Sequence, residues 1–158
     1  MTPDLEERRR TARVLANASQ DELARLWDSW PDRPAVEYLR GPEAGLVMVQ
    51  SRAGGTGDRF NLGEATVARA TVLARSVSGE STGTAYVLGS YPEHAGLAAI
   101  FDALLSSDQR DRVLAEVIAP LESAQCERDH RRQAEARATV VDFFTVARES
   151  DADDEDDE

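Results

Sequence analysis

Residues 66–89 read TVARATVLARSVSGESTGTAYVLG, and this segment predicts two β-strands joined by a tight turn. Apolar and polar side chains alternate from Thr66 to Ser76, which is the period of a strand. Ser78-Gly79-Glu80 is a turn sequence, and Thr82–Gly89 follows it as a second strand. Because so short a connection joins antiparallel strands, the segment predicts a hairpin in an antiparallel sheet.

The preceding segment extends the predicted sheet to about four strands. Ala35–Arg40 has strand character, Gly41–Gly45 reads GPEAG, which is typical of a turn, and Leu46–Arg52 is apolar enough for a central strand. Residues 53–63 contain four glycines and no periodicity. We therefore expect a loop there, with an extended stretch at Arg59–Leu62.

Helical patterns stand on both sides of these strands. Leu5–Asn17 forms the first, and the second begins after Ser19, where Glu22 has the spacing of a capping box. After the strands, Ser90 and Glu93 repeat that spacing. An amphipathic helix then follows on Leu97, Ile100, Phe101, Leu104 and Leu105.

The last helical patterns lead to the fold class. A helix is expected from Ser106, with a kink or an end at Pro120, and a final helix over Ser123–Arg148. Helices, strands and helices in this order predict an α+β fold. It is an antiparallel sheet of about four strands flanked by N-terminal and C-terminal helices.

Charge and length limit the classes of function. The chain has 158 residues and a net charge of −12, but residues 149–158 hold eight of its 30 acidic residues. Residues 1–148 therefore carry 22 acidic residues against 18 arginines, a net charge of −4. We expect one domain over 1–148, a disordered acidic tail over 149–158, and no general binding of nucleic acid.

No membrane, disulfide or metal site is expected. The N-terminus lacks the apolar segment of a signal peptide, and no apolar run approaches the roughly 18 residues of a membrane helix. These features indicate a soluble cytoplasmic protein. Cys126 and His130 are four residues apart, but two ligands do not make a zinc site, so both are interpreted as incidental.

The loop Arg52–Phe60, RAGGTGDRF, is the most informative polar segment. Its candidate residues for binding a substrate or a partner are Arg52, Gly54, Gly55, Thr56, Gly57 and Arg59. Glycines let another group approach the backbone closely, and arginines pair with anions, but the spacing is not that of a phosphate-binding P-loop. Residue types alone favour an ordinary turn over a binding site.

Two further candidates lie in helices. His94 stands at a helix start and is interpreted as a surface or capping histidine rather than a general base. Asp142, Phe143 and Phe144 place adjacent aromatic rings about 100° apart around the final helix. Both rings are buried in the home core, or one faces a partner; the sequence leaves these two interpretations open.

Together, several segments resemble the PhnG family of the bacterial carbon–phosphorus lyase system. The matching segments are Gly45-Leu46-Val47, Gly54–Phe60, Glu64-Ala65-Thr66, Arg69-Ala70, His94-Ala95, Asp102-Ala103-Leu104, Ile118–Leu121, Arg132–Glu135 and Val141–Thr145. They follow the family order over about residues 5–148, and GGTGDRF followed by VDFFT is the most specific pair. The acidic tail lies outside the family pattern.

This resemblance implies a function in phosphonate catabolism. PhnG-like subunits act with PhnH, PhnI and PhnL to displace adenine from ATP with an alkylphosphonate, giving ribose 1-alkylphosphonate 5-triphosphate. PhnJ, which also joins the core complex, then breaks the carbon–phosphorus bond with its iron–sulfur cluster and S-adenosylmethionine. ATP is a substrate of the complex, and the resemblance implies no cofactor bound by this chain alone.

The resemblance also leaves two roles for the chain. It associates the nucleosidase-type chemistry with PhnI, which makes this chain a structural and assembly subunit that is inactive alone. The alternative is a direct contribution to a shared active site, in which Arg59 or His94 reaches the ATP or the phosphonate. The scarcity of titratable clusters in the sequence favours the first role.

Overall fold

A computed structural model describes residues 4–138, in which two helices precede a sheet and further helices follow it. The helices are α1 (Leu5–Asn17), α2 (Gln20–Asp28), α3 (Pro92–Leu105), α4 (Arg110–Val113) and α5 (Ala119–Ala138). The strands are β1 (Ala35–Arg52), β2 (Arg59–Ser76) and β3 (Gly79–Leu88). Short 3-10 and π segments cover Ala53–Gly55 and Leu114–Ile118. The predicted α+β class and its flanking helices are confirmed.

The sheet has three antiparallel strands in the order β1-β2-β3, so β2 is the central strand. The predicted turn at Gly41–Gly45 is wrong, because β1 continues through it with bulges between Tyr38 and Arg40 and between Arg40 and Glu43. A bulge absorbs the extra residues, and an edge strand tolerates a proline such as Pro42, which has no N–H for the ladder. The two strands predicted on either side of this turn are therefore one.

Helix α3 packs on one face of the sheet through small side chains. Alternate residues of β2 form the sheet side of this contact, and alanines of α3 form the other; the buried residues are Ala68, Ala70, Val72, Ala74, Ala95, Ala99 and Ala103. Gly83 of β3 faces α3 so closely that a Cβ atom there would lie 2.9 Å from the Cα of Ala103. Helix and sheet therefore approach more closely than larger side chains would allow.

A second core lies between α3 and the other helices. Phe101 is fully buried, and the rings of Trp27 and Trp30 meet it edge-on with centroid distances of 6.2 and 5.9 Å. The aliphatic members of this core include Leu15, Leu23, Leu104, Val113, Val117 and Ile118. This core fixes α1, α2 and the C-terminal helices on the side of α3 that faces away from the sheet.

The two predicted capping boxes have different outcomes. At α2 the box is confirmed, since the Ser19 hydroxyl accepts the N–H of Glu22 and the Glu22 carboxylate accepts the N–H of Ser19. The bond from the Ser19 N–H is the main cause that lowers the pKa of Glu22. At α3 the prediction is wrong, because the cap residue is Tyr91 and the Glu93 carboxylate accepts a hydrogen bond from Gln20 instead, at 2.7 Å.

The helix does not end at Pro120. A π segment at Leu114–Ile118 joins α4 to α5, and its wider turn comes just before the proline, which has no N–H to give to an α-helical bond. Side chains of α5 then reach the N-terminal helices: Gln125 donates to the Val14 carbonyl at 2.8 Å, and Arg128 pairs with Glu22 at 3.1 Å. The predicted separate helices are one helical unit.

Asp102 of α3 lies at the outer edge of β3. Its carboxylate accepts the backbone N–H of Thr84 in β3 at 2.9 Å. This N–H group is therefore not available to pair with another strand. Burial raises the pKa of Asp102 above its ordinary 3.8, although the Thr84 N–H and the charge of Arg8 act in the opposite direction. The folded state therefore binds the Asp102 proton more tightly than the unfolded chain does.

This raised pKa gives a pH-dependent prediction. The contribution of Asp102 to stability is fully present below pH 3.8 and is lost as the pH rises through the higher folded pKa. Asp102→Asn keeps an oxygen acceptor without a charge, so we expect it to melt at or above the wild-type temperature at pH 7 and to lose that advantage towards pH 4. Asp102→Ala leaves the Thr84 N–H unpaired and should cost about 1–3 kcal/mol. Melting curves from pH 4 to 7 test this, and equal destabilisation by both substitutions would contradict it.

Candidate functional site

Strands β1 and β2 continue as a two-stranded ribbon beyond the end of β3. Strand β3 pairs with β2 only from Val67 to Ser76, whereas β1 and β2 form seven further pairs between Leu46↔Thr66 and Arg52↔Arg59. We call residues 46–66 the arm. At about 3.4 Å per residue its paired part extends about 24 Å from the body. Nearly all of its residues are exposed to solvent.

The arm has one apolar and one mixed face. Because directly paired residues share a face, Val47 and Ala65, Val49 and Gly63, and Ser51 and Phe60 lie together. The opposite face carries Leu46, Met48, Gln50, Asn61, Arg52 and Arg59, with a hydrogen bond of 3.1 Å between Gln50 and Asn61. Phe60 is 46% exposed and Val47 is 44% exposed. We call the face formed by Val47, Val49, Ser51, Phe60, Gly63 and Ala65 the apolar arm face.

The apolar arm face continues onto the side of the sheet that faces away from α3. Residues that alternate with the buried positions of β2 point away from α3, and Val67 is two residues beyond Ala65 in that row. Leu88 pairs with Val67 and is 74% exposed, and Tyr86 follows on the same strand. An apolar surface of this extent on a folded domain is typical of a protein-binding site.

The tip of the arm is a glycine turn. Gly54 and Gly55 have φ values of +58° and +84°, a region that favours glycine over side chains with a Cβ. At Gly57 a Cβ atom would lie 2.6 Å from the carbonyl oxygen of Ala53, which accepts the Gly57 N–H at 2.8 Å. Thr56 completes this turn. The extended stretch predicted at Arg59–Leu62 is confirmed as the start of β2, so the loop itself ends before Arg59.

The structure brings the predicted loop candidates together at this tip. Arg52 and Arg59 are the last cross-strand pair before the turn, so their side chains leave the same face of the arm. Arg52 donates to the carbonyl oxygen of Gly57 at 3.2 Å. Within residues 4–138, neither arginine forms an ion pair. Two positive charges therefore stand side by side at the end of the arm.

His94 lies in the body and not at the tip. The prediction of a surface histidine is wrong, because His94 is 5% exposed. Its Nε2 lies 2.9 Å from the carbonyl oxygen of Leu15, in the last turn of α1. This hydrogen bond joins the start of α3 to the end of α1. Arg59 and His94, the two residues of the alternative role, are thus separated by the length of the arm.

The remaining candidates fall on the C-terminal part of the chain. Sγ of Cys126 lies 3.9 Å from Nε2 of His130 on α5. In the described residues, no group of three or more His, Cys, Asp or Glu side chains is placed to hold a metal ion. Asp142, Phe143 and Phe144 lie outside the described residues, as does the acidic tail.

Sequence reasoning missed the apolar arm face. The sequence places Val47 and Val49 in a central strand and Phe60 in the extended stretch Arg59–Leu62, but all three are surface residues. The available indication was the length of the strands: pairing of 46–52 with 59–66 leaves no partner for those residues on β3, because residues 79–88 are too few to reach them.

Similarity to known proteins identifies the family of this chain. Every helix within residues 4–138 is too short or too polar to span a bilayer. The family model "Phosphonate metabolism protein PhnG" matches residues 6–149. The chain is 48% identical over 146 residues to the alpha-D-ribose 1-methylphosphonate 5-triphosphate synthase subunit PhnG of Rhizobium meliloti (strain 1021), covering 92% of this chain and 91% of that protein. The chain therefore belongs to the PhnG family of phosphonate metabolism proteins.

Proposed function

We propose that this chain is a structural subunit of an alpha-D-ribose 1-methylphosphonate 5-triphosphate synthase and that it docks on its partners through the arm. The observation that carries the proposal is the apolar arm face, which the described residues 4–138 leave exposed. A domain that presents Val47, Val49 and Phe60 to water is expected to bury them in an assembly. Family membership and the name of the relative supply the identity of that assembly.

The partners are PhnH, PhnI, PhnJ and PhnL proteins. With them, the chain supports the displacement of adenine from ATP by an alkylphosphonate, and the product is ribose 1-alkylphosphonate 5-triphosphate. The reacting groups come from the partner subunits. In support of this division, the buried His94 already uses its Nε2 in a bond to the fold, and so has a structural role in this chain.

A charge on the apolar arm face should abolish assembly without unfolding the chain. Val49→Asp places a carboxylate in the middle of that face, where burial against a partner would cost several kcal/mol unless the charge were paired. We expect co-purification with the partner subunits to fall at least tenfold, while the melting temperature of the isolated chain stays within a few degrees of wild type.

Val77→Asp is the matched control. Val77 is fully exposed in the turn between β2 and β3, at the end of the sheet opposite the arm. The same substitution there should leave both assembly and melting unchanged. If Val49→Asp assembles as well as Val77→Asp, the arm is not the docking element and this function is wrong.

A further inference from the structure

The arginine pair at the tip of the arm has no acidic partner within the part of the chain that the structure describes. Like charges directly opposite each other on neighbouring strands destabilise a sheet. Arg52 and Arg59 occupy such positions, and the intervening Asp58 forms no ion pair with either of them. Elsewhere on the sheet the chain neutralises its arginines, as Glu43 does for Arg69 at 2.8 Å.

We propose that Arg52 and Arg59 form a binding site for a phosphoryl or phosphonyl group. Guanidinium groups present planar pairs of N–H donors that match the oxygens of such anions, and two of them side by side can hold one tetrahedral group. The bond from Arg52 to the Gly57 carbonyl holds that side chain against the turn and leaves its other donors available. Nothing lies within 4 Å of the Cβ positions at Gly54 and Gly55, so the turn is open to a ligand.

The site serves a ligand held by a neighbouring subunit. The tip lies about 24 Å beyond the body of this chain, a distance set by seven residue pairs. The body therefore cannot enclose a molecule bound there. The inference rests on the proposed function, because only docking of the arm brings another subunit to the tip. The product named for the relative carries both a methylphosphonate and a triphosphate, which are groups of the required chemistry.

Kinetics of the assembled synthase test this site. The variants are Arg52→Gln, Arg59→Gln and Arg59→Lys, and the control is Arg131→Gln, an exposed residue of α5 without an ion pair among the described residues. Each is co-purified with the partner subunits, and adenine release is measured while ATP and methylphosphonate are varied separately. We expect normal assembly and a KM for one substrate that rises tenfold or more in both glutamine variants. Arg59→Lys should be intermediate, because lysine keeps the charge but loses the paired donors.

Two outcomes would overturn the inference. If the glutamine variants assemble and keep the KM values of the control, the tip holds no substrate group. If they fail to assemble while Arg131→Gln assembles, the arginines bind carboxylates of a partner protein instead, and docking through the arm survives. If the wild-type chain itself does not co-purify with the partners, the proposed function fails first, so the two failures are distinguishable.

Discussion

Gly83→Ala is expected to destabilise the chain by about 3 kcal/mol or more, one of the two largest effects that the fold predicts. The added Cβ atom would overlap the carbonyl oxygen of Ala99 and the amide nitrogen of Ala103, both of which belong to the backbone of α3. A flexible side chain could move aside, but a helix backbone can move only if the contact between α3 and the sheet opens. Thermal melting should shift down by about 10 °C.

Gly45→Ala is the matched control for this substitution. Gly45 also lies in the sheet, its φ is not in the left-handed region, and no atom lies within 4 Å of its Cβ position. We expect its melting temperature to stay within about 2 °C of wild type. Equal melting of the two variants would show that α3 does not approach β3 as closely as described.

Phe101→Ala should cost about 3–5 kcal/mol, because it empties the centre of the helical core. Its ring is fully buried and forms edge-to-face contacts with Trp27 and Trp30, which would lose their shared partner. The emission of the two tryptophans should shift towards that of solvent-exposed indole. Chemical denaturation followed by this fluorescence measures the loss.

Phe60→Ala is the matched control for Phe101→Ala, because it makes the same substitution on the arm instead of in the core. Phe60 is 46% exposed on the apolar arm face, so its removal should change the free energy of unfolding by no more than about 0.5 kcal/mol. In the assembly it should weaken partner binding instead. A loss of stability at Phe60 equal to that at Phe101 would mean that the arm packs against the body of the chain.

Periodic segments of the fold were predictable from sequence. The bounds of α1 and the capping box of α2 were correct because residues close together in the sequence set those patterns. The end of the first predicted strand at Gly41 was wrong, since GPEAG has the composition of a turn but lies in an edge strand that accepts bulges. Pairing with β2 decides whether this segment forms a turn or a bulge. This pairing depends on residues distant in the sequence, so the local composition does not reveal it.

The candidate site was predictable only in part. The glycines and arginines of the tip were predictable as candidates because glycines allow close approach to the backbone and arginines pair with anions, and the structure places them together. The apolar arm face was not predictable, because Leu46–Val49 is as apolar as a buried strand. Hydrophobicity cannot distinguish a strand that is buried in its own fold from one that is exposed for a partner.

The π segment before Pro120 sets the rotational phase of the last helix. Each residue turns a helix by about 100°, and the π turn holds one residue more than an α turn. Gln125 and Arg128 point towards Val14 and Glu22 because the wide turn at Leu114–Ile118 takes up this extra residue. The alignment of α5 thus depends on a count of residues rather than on their chemistry. If the same residues formed an unbroken α-helix, every later side chain would face about 100° away from its partner, whereas deleting one residue would close the wide turn and keep the later side chains in phase.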